Sequence, residues 1–399
     1  MIPYVGKYGK QCSVMLNQLD DENTISQIYE FLNHPAFTNP ISIMPDCHYG
    51  KGTVIGFTME MTDMIIPNIV GVDINCAMLS LFLGTNALAE LSREQIDNHL
   101  RQEIPFSTNV HPTTDYAYEM LDQNFWNGAH EYHWEFTKKY NLRYGTKHDP
   151  VQFDIRWFED KCVEIEMDFG RALKSIGTLG GGNHFLELGK LVNQKEYLFT
   201  IHTGSRQFGL KIAEYWQRKA GKGHLAYLTG NDMFGYLTDM IFAQHYASLN
   251  RDAIANIVEF VFQIESQDQI ETSHNFIDFQ DFIIRKGAVR SYKNEKMIIP
   301  FNMEDGLLIC EGKSNPEWNF SAPHGAGRVC SRGDIKRKMK EISSSKDVQE
   351  RMYKKGIYTS SVPLDETKEA YKDPKIIEDA IEPTATIIDR AIPVLNMKG

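Results

Sequence analysis

The sequence predicts an α+β fold: one interwoven domain over residues 1–399, with β layers around a deep active-site cleft and helical insertions at about 91–174 and 209–286. Three observations carry this. Short apolar runs broken by Pro, Gly and Asp recur at widely separated places. Segments with helical spacing lie between them, and no tandem repeat or low-complexity linker divides the chain. Each β segment ends in a cluster of His, Cys, Asp or Arg beside glycine, so one polar centre is assembled from the whole length rather than from a single module.

In order, Ile41–Met44, Thr53–Thr58 and Met78–Leu83 read as strands whose turns carry polar groups. From about 91 to 174 the pattern is helical and aromatic-rich, with Trp126, Trp134 and Trp157 among charged residues. A second β segment holds the Gly180-Gly-Gly182 turn and Tyr197–Ile201. The stretch from about 209 to 286 reads as helical, with Ile254, Ile257, Phe260 and Val261 at helix spacing. Strands return at Met297–Phe301 and Leu307–Cys310, and 331–355 reads as a basic helix and its exit, with Asp334 as N-cap.

Bulk composition narrows the classes. Hydrophobic content of 42% and charged content of 24% fit an ordinary folded protein and argue against disorder. A net charge of −11 means that any polyanion partner must be bound through a local basic patch. Six scattered cysteines do not form a disulfide framework and fit a reducing compartment. Met1–Lys7 lacks a signal-peptide pattern and no apolar run approaches a membrane span, so a cytoplasmic protein without a membrane partner is expected.

The clusters carry the chemistry. Asp73 and Cys76 sit three apart after Ile69-Val-Gly-Val72, read as a strand running into a turn, where carboxylate and thiolate can converge on a metal. A cysteine alone is most often a small buried hydrophobe. With His184 and His202, each after a β segment, and His274 after a helical one, a Cys/Asp/His₃ set emerges that could hold two divalent ions sharing the thiolate. Donor softness nominates zinc, whereas the carboxylate suits manganese or magnesium. Gly180-Gly-Gly-Asn183 and Gly204-Ser-Arg206 offer backbone amides and a guanidinium to phosphate, although glycine triplets also serve as plain turns. Neither matches a P-loop or a dinucleotide fingerprint.

His324 lies between Pro323 and Gly325, with Arg328 and Arg332 following at helical spacing. This favours an accessible imidazole nucleophile whose arginines neutralise phosphate charge. Lys336, Arg337, Lys338 and Lys340 are either a solvated face or an RNA backbone groove. The loop Asp46-Cys47-His48 reads as structural, and the remaining histidines as structural or exposed.

From about residue 41 onward, these clusters, in this order and at these separations, resemble the RtcB family of RNA ligases. The resemblance implies that Asp73, Cys76, His184, His202 and His274 bind two manganese(II) ions, with Cys76 touching both. It implies that His324 of His-Gly-Ala-Gly-Arg becomes guanylylated, and that Asn183, Glu187, Tyr371 and Lys398 hold GTP. Arg206, Arg328 and Arg332 would face RNA phosphate, with His48 of Pro-Asp-x-His near the RNA. The implied activity joins RNA 3'-phosphate or 2',3'-cyclic phosphate ends to 5'-hydroxyl ends, with any accessory activator or repair partner left unnamed. Rival readings are a two-metal RNA phosphoesterase without ligation and a non-catalytic, metal-stabilised RNA-binding factor. The family pattern G-V-D-I-G-C-G-M appears here as Gly71-Val-Asp-Ile-Asn75-Cys-Ala77-Met78, and Thr203, Gln207 and Cys330 also depart from it, which marks a divergent branch.

Overall fold

The structure, a computed structural model, describes residues 1–7 and 9–398. Its strands are β1 (Ile2–Val5), β2 (Gln11–Val14), β3 (Ile41–His48), β4 (Ile55–Glu60), β5 (Ala77–Phe82), β6 (Phe185–Leu191), β7 (Tyr197–Thr203), β8 (Gln269–Ser273), β9 (Asn275–Asp278), β10 (Ile283–Lys286), β11 (Ala288–Arg290), β12 (Lys296–Asn302), β13 (Gly306–Gly312), β14 (Ser321–Pro323) and β15 (Ala385–Lys398). Among the described residues they form a mixed sheet ordered β1-β2-β3-β4-β10-β9, an antiparallel sheet ordered β12-β13-β15-β6-β7-β5-β8, and a β11-β14 ribbon. The larger sheet curls until its edges meet, where the Ile298 amide of β12 donates to the Thr272 hydroxyl of β8 at 3.0 Å. The mixed α/β architecture expected from the sequence is the one found.

Period-2 alternation fixes which side chains point where. Leu79, Leu81, Leu186, Leu188, Phe199, Ile201, Leu395 and Met397 cover one face of the larger sheet and pack against Ile96, Leu100, Ile254 and Val258 of two helices. Each such burial contributes roughly 1.5–3 kcal/mol relative to exposure. Residues of opposite parity fill the other face, where Met78, Leu191, Leu198, Ile298 and Ile309 form a second apolar core. At one end of that face polar residues replace the apolar ones: Glu187 on β6, His202 on β7, and Asn396 and Lys398 on β15. The pleat therefore lays one half of the site.

The helix Gly230–Phe262 is buried around most of its circumference, which a helix with no sustained polar stripe requires. It runs through the largest core, and its fully buried Arg251 is held by Glu271, Ser248 and backbone carbonyls. Buried Arg285 is likewise paired with Asp278 at 3.3 Å and Asp281 at 3.2 Å.

Three expectations are corrected. The 209–286 region is helical only to Phe262 and then forms β8, β9 and β10, because Gln269–Ser273 alternates polar and β-branched residues and Asn275–Asp278 centres on the strand formers Phe276 and Ile277. Pro67–Val70 is a short helix rather than a strand, since proline at its first turn presets the helical φ. The helix Arg332–Ile342 starts earlier than expected, capped by Ser331, whose hydroxyl accepts from the Asp334 amide, so Asp334 is its third residue. Phe260 shares the helical spacing of its neighbours yet lies 77% exposed, on the outward side near the helix end.

Replacing Arg285 with Met should leave Asp278 and Asp281 buried with less compensating charge and destabilise the fold by about 3 kcal/mol. Chemical denaturation would show this as a lower midpoint at unchanged slope.

Candidate functional site

The two sheets meet at one residue. His274 occupies the single position between β8, an edge of the larger sheet, and β9, an edge of the mixed sheet. Its amide donates to the Cys76 carbonyl at 3.1 Å and its carbonyl accepts from the Gly287 amide at 2.6 Å. Around it the sequence-predicted donors converge. His184 Nε2 is 2.8 Å from Asp73 Oδ2 and 3.6 Å from Cys76 Sγ. His202 Nε2 lies 3.2 Å from Cys76 Sγ and 3.3 Å from His274 Nε2. They make two triplets, Asp73/Cys76/His184 and Cys76/His202/His274, each with donor atoms within 4.8 Å of one another and with Cys76 in both. Their local settings differ from expectation, since His184 precedes β6, His202 lies within β7, and His274 follows a strand rather than a helix.

The donor set fits divalent ions. His184 Nδ1 faces the Leu179 carbonyl at 2.9 Å and His202 Nδ1 the Asn183 carbonyl at 3.1 Å, so in each ring Nδ1 carries the hydrogen and Nε2 presents a lone pair to the cluster. Burial, reinforced by neighbouring imidazoles and cations, holds His202 and His274 well below the usual imidazole range, hence neutral. Burial and the Asp73 charge push the Cys76 thiol far up, whereas His184 overcomes the burial of Asp73 and keeps it at about 2. With the thiol deprotonated, its charge, the Asp73 carboxylate and the imidazole lone pairs would face one another, an arrangement that divalent cations between them satisfy. His274 Nδ1, buried without a hydrogen-bond partner, is a further unsatisfied nitrogen.

Two adjacent residues of the 230–262 helix hold the turns that carry these donors. Asn250 Oδ1 accepts from the Gly177 and Thr178 amides at 2.8 and 3.0 Å, while its Nδ2 donates to the Gly204 carbonyl at 3.2 Å. Arg251 Nη1 donates to the carbonyls of Asn75 at 2.9 Å and Thr203 at 3.1 Å. Asn75 keeps a left-handed φ of 53°, which asparagine tolerates, and its side-chain amide donates to the Gln244 carbonyl at 2.9 Å. Arg206 is anchored on Thr178 and the Ser107 carbonyl beneath Gly180, where a Cβ would strike its guanidinium.

A cavity opens beside the cluster, lined among others by Phe185, Glu187, His324, Tyr371, Asn396 and Lys398. His324 forms part of its wall, 24% exposed at the side chain, with its ring 5.0 Å from that of His274. Its Nδ1 donates to Asp46 Oδ2 at 2.6 Å, and its amide to the same oxygen at 3.2 Å. That fixes the tautomer and leaves Nε2 as the nucleophilic lone pair. Asp46 is fully buried, and the sequence reading misses its functional part, although its place two before His48 is an available signal. His48 itself faces the cavity, its Nδ1 on the Asp46 carbonyl at 3.0 Å, and burial lowers it to about 4.

Glu366, which the sequence reading also misses, is the hub of the far wall. This buried carboxylate accepts from Lys398 at 3.0 Å and Tyr371 at 2.7 Å, and pairs with Arg328 and with Arg332, the latter at 3.1 Å. Burial would raise it, but Lys398, Arg328 and Arg332 bring it to about 2. Arg328 is thereby committed to Glu366, the Asp365 carbonyl and the Tyr371 ring, while Arg332 remains 39% exposed. The two do not share a helix, because 324–331 is an irregular loop and Arg332 opens the helix after it. On the floor, Asn183 offers its carbonyl to Lys398 Nζ at 3.4 Å. Burial lifts Glu187 to about 7 against the opposing effects of Asn396 and Lys398. Lys336, Arg337, Lys338 and Lys340 all face solvent.

Comparison with known proteins bears on the whole chain. The family model described as tRNA-splicing ligase RtcB matches residues 27–399. The RNA-splicing ligase RtcB of Escherichia coli is 30% identical over 94% of this chain and 93% of that protein. The tRNA-splicing ligases RtcB of Methanococcus maripaludis and Nanoarchaeum equitans are 26% and 25% identical, over 92% and 96% of this chain and 90% and 93% of theirs. With the match spanning nearly the whole chain, the protein belongs to the RtcB family.

Proposed function

We propose that the protein is a GTP- and manganese-dependent RNA ligase. It joins a 3'-phosphate or 2',3'-cyclic phosphate end to a 5'-hydroxyl end through a histidine–GMP adduct, in RNA repair or tRNA splicing, with residues 1–399 acting as one catalytic unit. The observation that carries the reading is the Asp46-oriented imidazole of His324, set beside a buried Asp/Cys/His₃ cluster whose His202 and His274 line the same cavity. A nucleophilic ring held in that tautomer beside the cluster is what formation of a nitrogen–phosphorus adduct requires. The relatives named above are RNA-splicing or tRNA-splicing ligases.

Asp73, Cys76, His184, His202 and His274 would hold two manganese ions, which when bound supply positive charge to phosphate oxygens. His324 Nε2 attacks the α-phosphorus of GTP; the nitrogen–phosphorus bond forms as the α–β oxygen bridge breaks and pyrophosphate leaves. Any cyclic end is opened by water to a 3'-phosphate. An oxygen of that phosphate then displaces His324 from GMP, and the RNA 5'-hydroxyl oxygen attacks the activated 3'-phosphorus, loses its proton and expels GMP. Every step is a displacement at phosphorus, so the chain's task is positioning and charge stabilisation. Asp46 steadies the ring as it gains positive character, Glu187 and Lys398 address the base, Tyr371 lies across the pocket, and Arg206, Arg328 and Arg332 supply guanidinium charge on the RNA side.

His324→Ala should abolish the covalent GMP label and ligation while retaining manganese, whereas Cys76→Ala should lose both. Elemental analysis of the two variants checks this, and equal manganese in both would refute the assignment. Cyclic phosphodiester hydrolysis by wild-type protein that never acquires a label would favour the phosphoesterase instead.

Guanine presents its ring N1–H to Glu187, which accepts it best as an ionised carboxylate. Since burial lifts that group to about 7, GTP affinity should fall by about tenfold per pH unit below 7 and level off above it. In Glu187→Gln the slope should vanish, as isothermal titration across pH 5.5–8.5 would show.

Neutralising Lys336, Arg337, Lys338 and Lys340 together should make RNA binding less salt-dependent, by about 0.7 in the logarithmic slope for each phosphate no longer neutralised. An unchanged slope would identify them as a solvated face.

A further inference from the structure

Asn396 stands at the base of the nucleotide cavity and has no part in the chemistry above. It is 2% exposed, and its register partner across the β15–β6 ladder is Glu187, so both side chains rise from the same face of the sheet. Its amide nitrogen donates to Glu187 Oε2 at 2.6 Å. The other end of the amide, the carbonyl oxygen Oδ1, is buried with no hydrogen-bond partner. A buried acceptor without a donor is unfavourable, and it persists in a cavity wall when an incoming ligand supplies the hydrogen. The rest of the wall says which ligand. Beside Asn396 is one carboxylate, two residues on is Lys398, and Phe185 lies beneath the lysine ammonium, 4.7 Å from it.

We infer that Asn396 is a specificity-determining residue that reads the exocyclic 2-amino group of guanine. The inference rests on the GTP reading above and adds to it. Guanine's Watson–Crick edge carries a ring N1–H and an exocyclic 2-amino group, that is, adjacent donors. Glu187 and Asn396 Oδ1 are adjacent acceptors at paired positions of neighbouring strands. Hypoxanthine keeps the N1–H and lacks the amino group, so it satisfies Glu187 and leaves Asn396 Oδ1 orphaned. Adenine presents an N1 lone pair to the Glu187 carboxylate and carries only a C–H at position 2, so it is rejected twice. The amide of Asn396 thus serves both sides: its N–H₂ end holds the carboxylate in place, and its C=O end extends the acceptor row by one.

The test compares binding of GTP, inosine triphosphate and ATP to the full-length protein with manganese present. Wild-type protein should bind GTP about tenfold more tightly than inosine triphosphate, the effect of one hydrogen bond to a buried acceptor, and ATP more weakly still. In Asn396→Leu the GTP-to-inosine-triphosphate ratio should collapse towards one. Releasing Glu187 from its amide partner weakens both nucleotides alike, so a purely structural role would lower both affinities and leave the ratio intact. Asn396→Ala gives the same readout should the leucine variant fail to fold. Equal affinities in wild-type protein, or an unchanged ratio in the variants, would overturn the inference while leaving the GTP reading in place. A wild-type protein that binds no purine triphosphate, and is unaltered by Glu187→Ala, would instead sink the GTP reading itself.

Discussion

The gathering of five metal-type donor groups at the seam between two sheets is the constraint on which the rest of the structure depends. Three imidazoles, a thiol and a carboxylate from distant parts of the chain lie within a few ångströms of one another. They are held there by backbone. Leu179 and Asn183 carbonyls orient two rings, Asn250 and Arg251 grip the turns, and the amide of His274 is tied to Cys76. Because these restraints come from the sheets and from the long buried helix, the cluster is as rigid as the core that supports it.

The same arrangement explains the division of labour across the cavity. One wall is soft and neutral, built of imidazole and sulfur. The opposite wall is an ionic knot in which Glu366 is surrounded by Lys398, Arg328 and Arg332. Three cations share the Glu366 and Asp365 carboxylates, so the members of this wall hold one another in place. The floor is sheet, and there the alternation of β6 and β15 presents Phe185, Glu187, Asn396 and Lys398 together.

Much of this is legible in the sequence because chemistry-bearing residues beside glycine are conspicuous. Asp73, Cys76, His184, His202 and His324 can be gathered from their neighbours in the chain, and so can the β segments that bear most of them. The residues that escape such a reading lack the marker. Glu366 lies in Leu-Asp-Glu-Thr with no glycine and no histidine nearby, and only the folded chain brings Lys398 and Arg328 to it. Asn396 offers a fainter signal, since it is two before Lys398 in a stretch that alternates in the manner of a strand. Asp46 reads as structural because its partner His324 is 278 residues away. The strands after Phe262 read as helix because an apolar run of mixed spacing supports either period until its neighbours are known.

The placement of His274 between β8 and β9 has a mechanical corollary. Cys76 and His202 belong to the larger sheet's side of the seam, and His274 is shared with the smaller one. An ion ligated by all three would act as a rivet through both layers, so part of its binding free energy is cohesion between them. Withdrawing the ion would relax that joint first, and slippage of one layer against the other would widen the gap between His324 and the cluster before either layer unravels.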